Sequence, residues 1–474
     1  MPAIKPQRES ASNPVADSKA SQVINSQDLT QGSISGHLTR LTIPMFLGIS
    51  SMIVASMIET IYIGVLGAEE LAAFSFTLPL LMGLSSVSMG IGTGAASLIA
   101  RAQGSGDRDR VRMLSTHSMI LTTMLLVILM IVGFATKEDL FIAMGASGRV
   151  LTLIESYTDI WVIGLALFTW PMVASTVLRS VGNARVPGFI MTSTSVLQVI
   201  VSPIMIFGLL GHPELGFEGA AWASIVVGLI RTLAMFWVLI SGENLVLFNF
   251  SAFEKLIQSS REILYIGIPS MLNSLIGPVS MAVILWLLAS HGPEVVAGFG
   301  ITSRFEMLLT MILMSLSSSV GPFVGQNWGA KQIDRIYKSL MIAYKFCLAW
   351  GLLSFLLLAP FGAPLVGLIN DDPLLVESAS WYLLIVPLTF GTLGVGMISG
   401  SLFVALGRPM PTTILALMRM FIIHLPLAIL MNMYWGYIGI FIATAIANIL
   451  IGTVAVIWSR RVLASEVERA GLTT

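Results

Sequence analysis

The chain has 474 residues, 55% of them hydrophobic and only 11% charged, with 25 basic and 25 acidic side chains and a mean hydropathy of +0.88. A soluble domain carries roughly 25% charge, so this composition excludes a protein that could cover itself with a polar surface. The single cysteine, Cys347, excludes an internal disulfide framework and a thiolate metal cluster.

Residues 1–36 are polar, lack an apolar core and do not read as a signal peptide; a disordered tail is expected there. Twelve apolar runs follow, near 41–66, 75–100, 113–135, 156–178, 188–210, 218–241, 263–289, 298–323, 339–368, 381–406, 411–433 and 436–459. Each is long enough to cross roughly 30 Å of hydrocarbon as a helix, and none alternates as a membrane strand would. The expected fold is therefore an all-α membrane protein. Of the 25 Lys and Arg, only Lys137 and Arg149 fall in loops on one side, while Arg231, Arg304 and Arg419 fall inside spans. The remainder lie on the side of the two termini, which the excess of positive charge assigns to the cytoplasm.

The second half repeats the punctuation of the first at a spacing of 225 positions. Ile43-Pro44 returns as Ile268-Pro269, Phe74 as Phe299, Asp109-Arg110 as Asp334-Arg335, and Gly182 as Gly407. Six spans per half bring the second copy into the membrane from the same side as the first. The halves are thus parallel repeats, an arrangement transporters use to alternate access. The expected division is a six-helix lobe at 37–241, a linker at 242–262 with a short surface helix, a second lobe at 263–460 and a tail at 461–474. No nucleotide-binding loop, zinc motif or nucleophile elbow appears in the segments between spans. No cofactor is expected, and ATP is not expected to power the protein directly.

Glu59 is the most consequential residue. It lies in the first span, about seven residues or roughly 10 Å from its far end at helical rise, on a face shared with Gly48, Met52, Ala55, Ser56 and Tyr62. An ionised carboxylate at that depth costs several kcal/mol unless paired, ion-bound or protonated. A carboxyl there can load and unload a proton, or lend an oxygen to Na⁺. The matching position of the second half is Ile284, so the repeat does not duplicate the acid. Arg304 and Glu306, in the eighth span, point about 200° apart and are not a mutual pair; Arg419 and His424 are candidates to meet them. Asp159 and Tyr157, in the fourth span, are further candidates for the cation site. Asn273, Met281, Arg304, Glu306, Met307 and Met311 are the expected lining of a central cleft, where thioethers suit several ligand shapes.

The run IPMFLGISSMIVASMIETIYIGVLGAEELAAF resembles the first helix and loop of MATE (multidrug and toxic compound extrusion) transporters. VGPFVGQNWGAKQIDRI is similar to the end of their eighth helix, and RSVGNARVP and ALGRPMP to the turns after their fourth and tenth. The resemblance covers residues 37–460. It implies two six-helix bundles about a cleft, and export of organic, chiefly cationic, compounds driven by inward H⁺ or Na⁺. It further implies a coupling carboxylate at Glu59, where the family usually has Asp, and a bend in the first helix at Pro44. In the DinF-like branch a second Asp precedes a proline in the fifth helix, with an Asn one turn earlier; here Ser202 and Gln198 stand at those positions, so Glu59, Gln198, Ser202 and Tyr62 form the expected cation site. Acids that other branches carry in the seventh and tenth helices are absent.

The expected partners are small organic substrates and membrane lipids, with no nucleic acid, and the chain is expected to act as a monomer in a bacterial inner membrane with both termini cytoplasmic. A lipid-linked saccharide flippase is the alternative within the wider superfamily; it calls for a strongly basic cleft, and only three basic residues lie within spans. A membrane-embedded enzyme needs a polar catalytic cluster at the membrane surface, and the sequence offers none.

Overall fold

The structure, a computed structural model, describes residues 28–247 and 255–472. The first lobe holds α1 (Ile34–Leu66), α2 (Ala68–Gly104), α3 (Arg108–Ala143), α4 in two pieces (Gly148–Ile163 and Leu165–Ser180), α5 (Arg185–Phe207) and α6 (Gly216–Gly242). The second holds α7 (Leu256–Ala289), α8 (Pro293–Gly329), α9 (Ile333–Leu358), α10 in two pieces (Pro373–Ile385 and Phe390–Ala405), α11 (410–435) and α12 (437–469). Ten helices are long and apolar enough to span a membrane, and the bent α4 makes eleven. The twelfth emerges because Gly436, at φ 57° and ψ −143°, divides the run Met410–Arg469 into α11 and α12.

Local chemistry explains the boundaries. Ser33 caps α1 by accepting from the Gly36 N–H at 3.3 Å, Asp107 caps α3 through the Arg110 N–H at 3.0 Å, and Asp372 caps α10 through the Leu375 N–H at 2.9 Å. Gly182 and Gly407, 225 apart, both turn the chain at positive φ, 92° and 77°, which explains why glycine recurs there. The interruptions correspond too: α4 bends by 50° at Gly164, and α10 is broken by a 3₁₀ turn at Pro387–Thr389. Sequence reading had treated these spans as continuous.

Three boundaries differ from expectation. The polar tail expected at 1–36 falls mostly on residues outside those described, but 28–33 are docked rather than free. Leu29 is fully buried; its N–H donates to Gln326 Oε1 at 3.2 Å, and its carbonyl accepts from Asn327 at 3.2 Å and Arg335 at 3.1 Å. Of the linker expected at 242–262 with a short surface helix, residues 248–254 lie outside those described, and α7 already begins at Leu256. The tail expected after 460 is helical as far as Arg469, with Glu466 joined to Arg408 and Arg469, each at 2.9 Å.

Each lobe repeats one packing plan: α1 on α5 and α5 on α6 in the first, with α7 on α11 and α11 on α12 in the second. Between lobes, α1 meets α8 as α7 meets α2, and α2 meets α8 on the pseudo-two-fold axis. Lipid gives helices no hydrophobic drive to associate, so close approach of small residues carries such contacts. A Cβ on Gly104 would lie 1.9 Å from the Gln326 carbonyl oxygen, and one on Gly329 would lie 2.1 Å from the Arg101 oxygen. These two contacts are the same contact seen from the two halves, since both glycines and both partners are 225 apart.

The hydrogen bonds between lobes sit toward the end that carries the termini: Thr42 to Ser319 at 3.2 Å, Ser97 to the Val404 carbonyl at 2.5 Å, and Gln326 to the Ser180 carbonyl at 2.8 Å. The last, counting away from the termini, is Ser50 to the Met311 sulfur at 3.4 Å. Beyond it no hydrogen bond or ion pair joins the lobes among the described residues. Met57 and Ile61 on α1, Met82 on α2, Val279 on α7 and Met307 on α8 are exposed there. The lobes are therefore closed at the terminal end and parted at the other.

Candidate functional site

In the first lobe α1, α5 and α6 converge on Glu59. Gln198 Nε2 donates to Glu59 Oε1 at 3.0 Å and lies 3.1 Å from both Ser202 Oγ and Ser224 Oγ. Gln198 and Ser202 are one helical turn apart on α5, which sets them on the face toward α1. An amide has two N–H groups, so the three acceptors compete for them. Ser224, on α6, was not anticipated. Most serines in these helices bond back to their own helix, and nothing in the sequence separates Ser224 from them.

Tyr62 makes no hydrogen bond to Glu59 among the described residues. Its hydroxyl donates to the Val199 carbonyl at 3.4 Å and so braces α1 against α5. Asp159 is likewise removed from the cation site, because Lys137 of α3 pairs with it. Tyr157 stays within electrostatic range of Glu59, held edge-on by Phe74 and stacked on Phe217. Among the described residues no basic side chain acts on Glu59, and its one hydrogen-bond partner is a neutral amide. Pro44 sits inside an unbroken α1, with its carbonyl pressed against Gly188 of α5, where a Cβ would meet it at 2.5 Å.

Among the described residues no group of three or more His, Cys, Asp or Glu gathers to hold a metal. A cation at Glu59 would draw its other ligands from the oxygens of Gln198, Ser202 and Ser224, a neutral and incomplete set for a hard ion.

The second lobe carries its own carboxylate. Tyr382 of α10 donates to Glu306 of α8, and Arg419 of α11 acts on both electrostatically. Tyr382 stands 225 positions after Tyr157, and Phe299, 225 after Phe74, packs edge-on against it at 5.5 Å. The aromatic setting is duplicated, yet the acid reaches it from α1 in one lobe and from α8 in the other. Comparing the tyrosines at the repeat spacing would have found this pair in the sequence.

Arg304 and Glu306 do point apart: Arg304 is exposed while Glu306 turns toward Tyr382. Met307 is on the exposed side of α8, Met281 is exposed on α7, and Asn273 is half-buried. Met311 does not line an open cleft. It is 2% exposed and packs between the lobes, taking the Ser50 hydroxyl, so it belongs to the cleft floor. His424 meets neither Arg304 nor Glu306; it is paired with Thr444 at 3.0 Å.

A family model described as MatE matches residues 44–204 and again 269–430, once in each lobe. The chain belongs to the MATE family. It is a multi-pass membrane transporter and not an enzyme. It is 33% identical over 434 residues to a FAD transporter of Shewanella oneidensis, covering 92% of this chain and 96% of that one. It is 24% identical over 430 residues to the multidrug export protein MepA of Staphylococcus aureus, covering 89% and 92%. Among solved structures it resembles the Vibrio cholerae MATE transporter VcmN in its bent form, with TM-score 0.87 and 28% identity over 94% of this chain and 99% of that one.

Proposed function

We propose that this MATE-family chain is a secondary-active antiporter that exports small organic compounds in exchange for inward H⁺ or Na⁺, with Glu59 as the coupling carboxylate. The observation that carries this is a half-buried acid inside a membrane helix whose only hydrogen-bond partner among the described residues is neutral. A charged residue at the centre of a membrane helix costs about 3 kcal/mol on insertion scales. A proton or a cation offsets that cost, so loading one changes which arrangement of α1, α5 and α6 is preferred.

Gln198 suits both forms of the acid. Its N–H donates to the carboxylate, and its carbonyl, after the amide turns, accepts from the neutral carboxyl. A single carboxylate with neutral oxygens favours H⁺ over a strong Na⁺ site, and the pairing of Gln198 with Glu59, with Ser202 beside Gln198, supports the DinF-like branch. Positive charge around the closed end supports placing both termini in the cytoplasm of a bacterial inner membrane, which makes this arrangement outward-facing. The chain is taken to act as a monomer.

The substrate has two readings. Similarity to MepA supports multidrug export, chiefly of organic cations; 33% identity to a FAD transporter supports a flavin dinucleotide. The test is uptake of ethidium and of FAD into inverted vesicles, which corresponds to export from the cell, with a pH gradient or a Na⁺ gradient imposed separately. One gradient is expected to drive transport in the wild type and fail in Glu59→Gln. Normal transport by Glu59→Gln under every gradient would remove Glu59 from the mechanism.

A further inference from the structure

The two lobes differ in what surrounds the acid beside each duplicated tyrosine. Among the described residues no basic group acts on Glu59. Around Glu306 there is Arg419, a half-buried guanidinium within a membrane helix. Its charge is balanced at a distance by Glu306, but the Glu306 carboxylate takes its hydrogen bond from Tyr382. No hydrogen bond engages the Arg419 guanidinium among the described residues. A planar fork of five N–H donors is thus left without an acceptor among the described residues, with Glu306 of α8 and Tyr382 of α10 within electrostatic range.

The local backbone keeps it there. Met418–His424 is a π-helical segment, a wider turn that recurs at functional sites. Met420 is held by Ser280 of α7 at 2.9 Å and His424 by Thr444 of α12 at 3.0 Å, which pins the segment on the C-terminal side of the arginine. The equivalent residue of the first half, Thr194, bonds to its own helix at the Ile190 carbonyl, 2.8 Å away. The guanidinium is therefore a feature of the second lobe alone.

We propose that Arg419 is an anion-holding side chain of the cleft, which receives a phosphate or carboxylate group of a small organic solute in the second lobe. This rests on the reading that the chain exports such compounds. A guanidinium matches both groups by paired N–H···O bonds, which an ammonium does not reproduce. Glu306 is then a positioning residue: it offsets the arginine's charge when the site is empty and repels the incoming anion. The two side chains consequently have opposite expected effects, which a purely structural pair would not have.

The test uses the full chain in phosphatidylcholine nanodiscs, with flavin fluorescence anisotropy comparing FAD and FMN, which carry phosphate, with riboflavin, which carries none. Wild type is expected to prefer FAD and FMN over riboflavin. Arg419→Gln is expected to weaken FAD by about tenfold or more while leaving riboflavin unchanged, and Arg419→Lys to recover only part of the loss. Glu306→Gln is expected to tighten FAD. No FAD preference in the wild type, its persistence in Arg419→Gln, or weakening in both variants would overturn the assignment. Displacement of FAD when phosphatidylglycerol is added would make a lipid headgroup the occupant and overturn the solute assignment. Gradient-driven ethidium transport by the same variants in inverted vesicles reads the antiport mechanism separately, so failure of one is not failure of the other.

Discussion

Gly104→Ala tests whether the closed end is a conformational gate. The added Cβ would stand 1.9 Å from the Gln326 carbonyl oxygen and 2.6 Å from its carbon, both backbone atoms of the other lobe. No side-chain rotation relieves such a contact, so the lobes must separate there by about an ångström or more. Overpacking of this kind costs about 1–3 kcal/mol. Only the state with this end closed bears the cost, and every 1.4 kcal/mol is about tenfold in an equilibrium. The population should therefore move by roughly five- to 150-fold toward the state that parts at the terminal end. Spin labels at Arg108 and Asp334, both exposed at that end, would report the change as a longer interlabel distance. Cys347 is fully buried and need not be removed. Gly133→Ala, whose Cβ meets nothing within 4 Å, is the control, and Gly329→Ala should repeat the effect. Unchanged distances in a folded Gly104→Ala protein would refute the gate.

Gln198→Leu removes the only hydrogen bond to Glu59 and should cost about 1–3 kcal/mol, seen as a lower melting temperature together with loss of gradient-driven transport; transport at the wild-type rate would contradict it. Ser224→Ala leaves Gln198 bound to Glu59 and should cost under about 1 kcal/mol, with transport retained. Lys331 holds φ 61° at the position where the first half has Gly106 at φ 78°. Lys331→Gly should therefore stabilise the protein by about 1 kcal/mol, and an unchanged or lower melting temperature would show that its strain is relieved some other way.

Apolar runs of span length and the 225-residue offset made the twelve helices and two lobes readable in the sequence. Glu59 was readable because an acid in such a run has no ordinary reason to be there. The spacing of Arg304 and Glu306 correctly set them on opposite faces. Other features depend on what meets a helix, which periodicity does not contain. Met311 lies on the face of α8 that looks toward the first lobe, but it sits at the depth where the lobes close, so it is floor rather than wall. Tyr62 shares the face of Glu59 yet reaches a carbonyl of α5. Leu29 was invisible within a polar stretch, because what holds it is backbone bonding to Gln326, Asn327 and Arg335.

The reciprocal pair Gly104–Gln326 and Gly329–Arg101 is the kind of self-complementary surface that two copies of one half-length chain would present to each other across a two-fold axis. In such a dimer, any residue near the axis is written twice or not at all. Joining the halves into one polypeptide lifts that restriction. Position 326 can be a glutamine that bonds to Leu29 and Ser180, while its counterpart is Arg101. The same freedom lets one tyrosine setting face an acid with no counter-charge and the other an acid beside an arginine. A single gene for both halves is thus what permits the division proposed above, with the driving ion in one half and its cargo in the other.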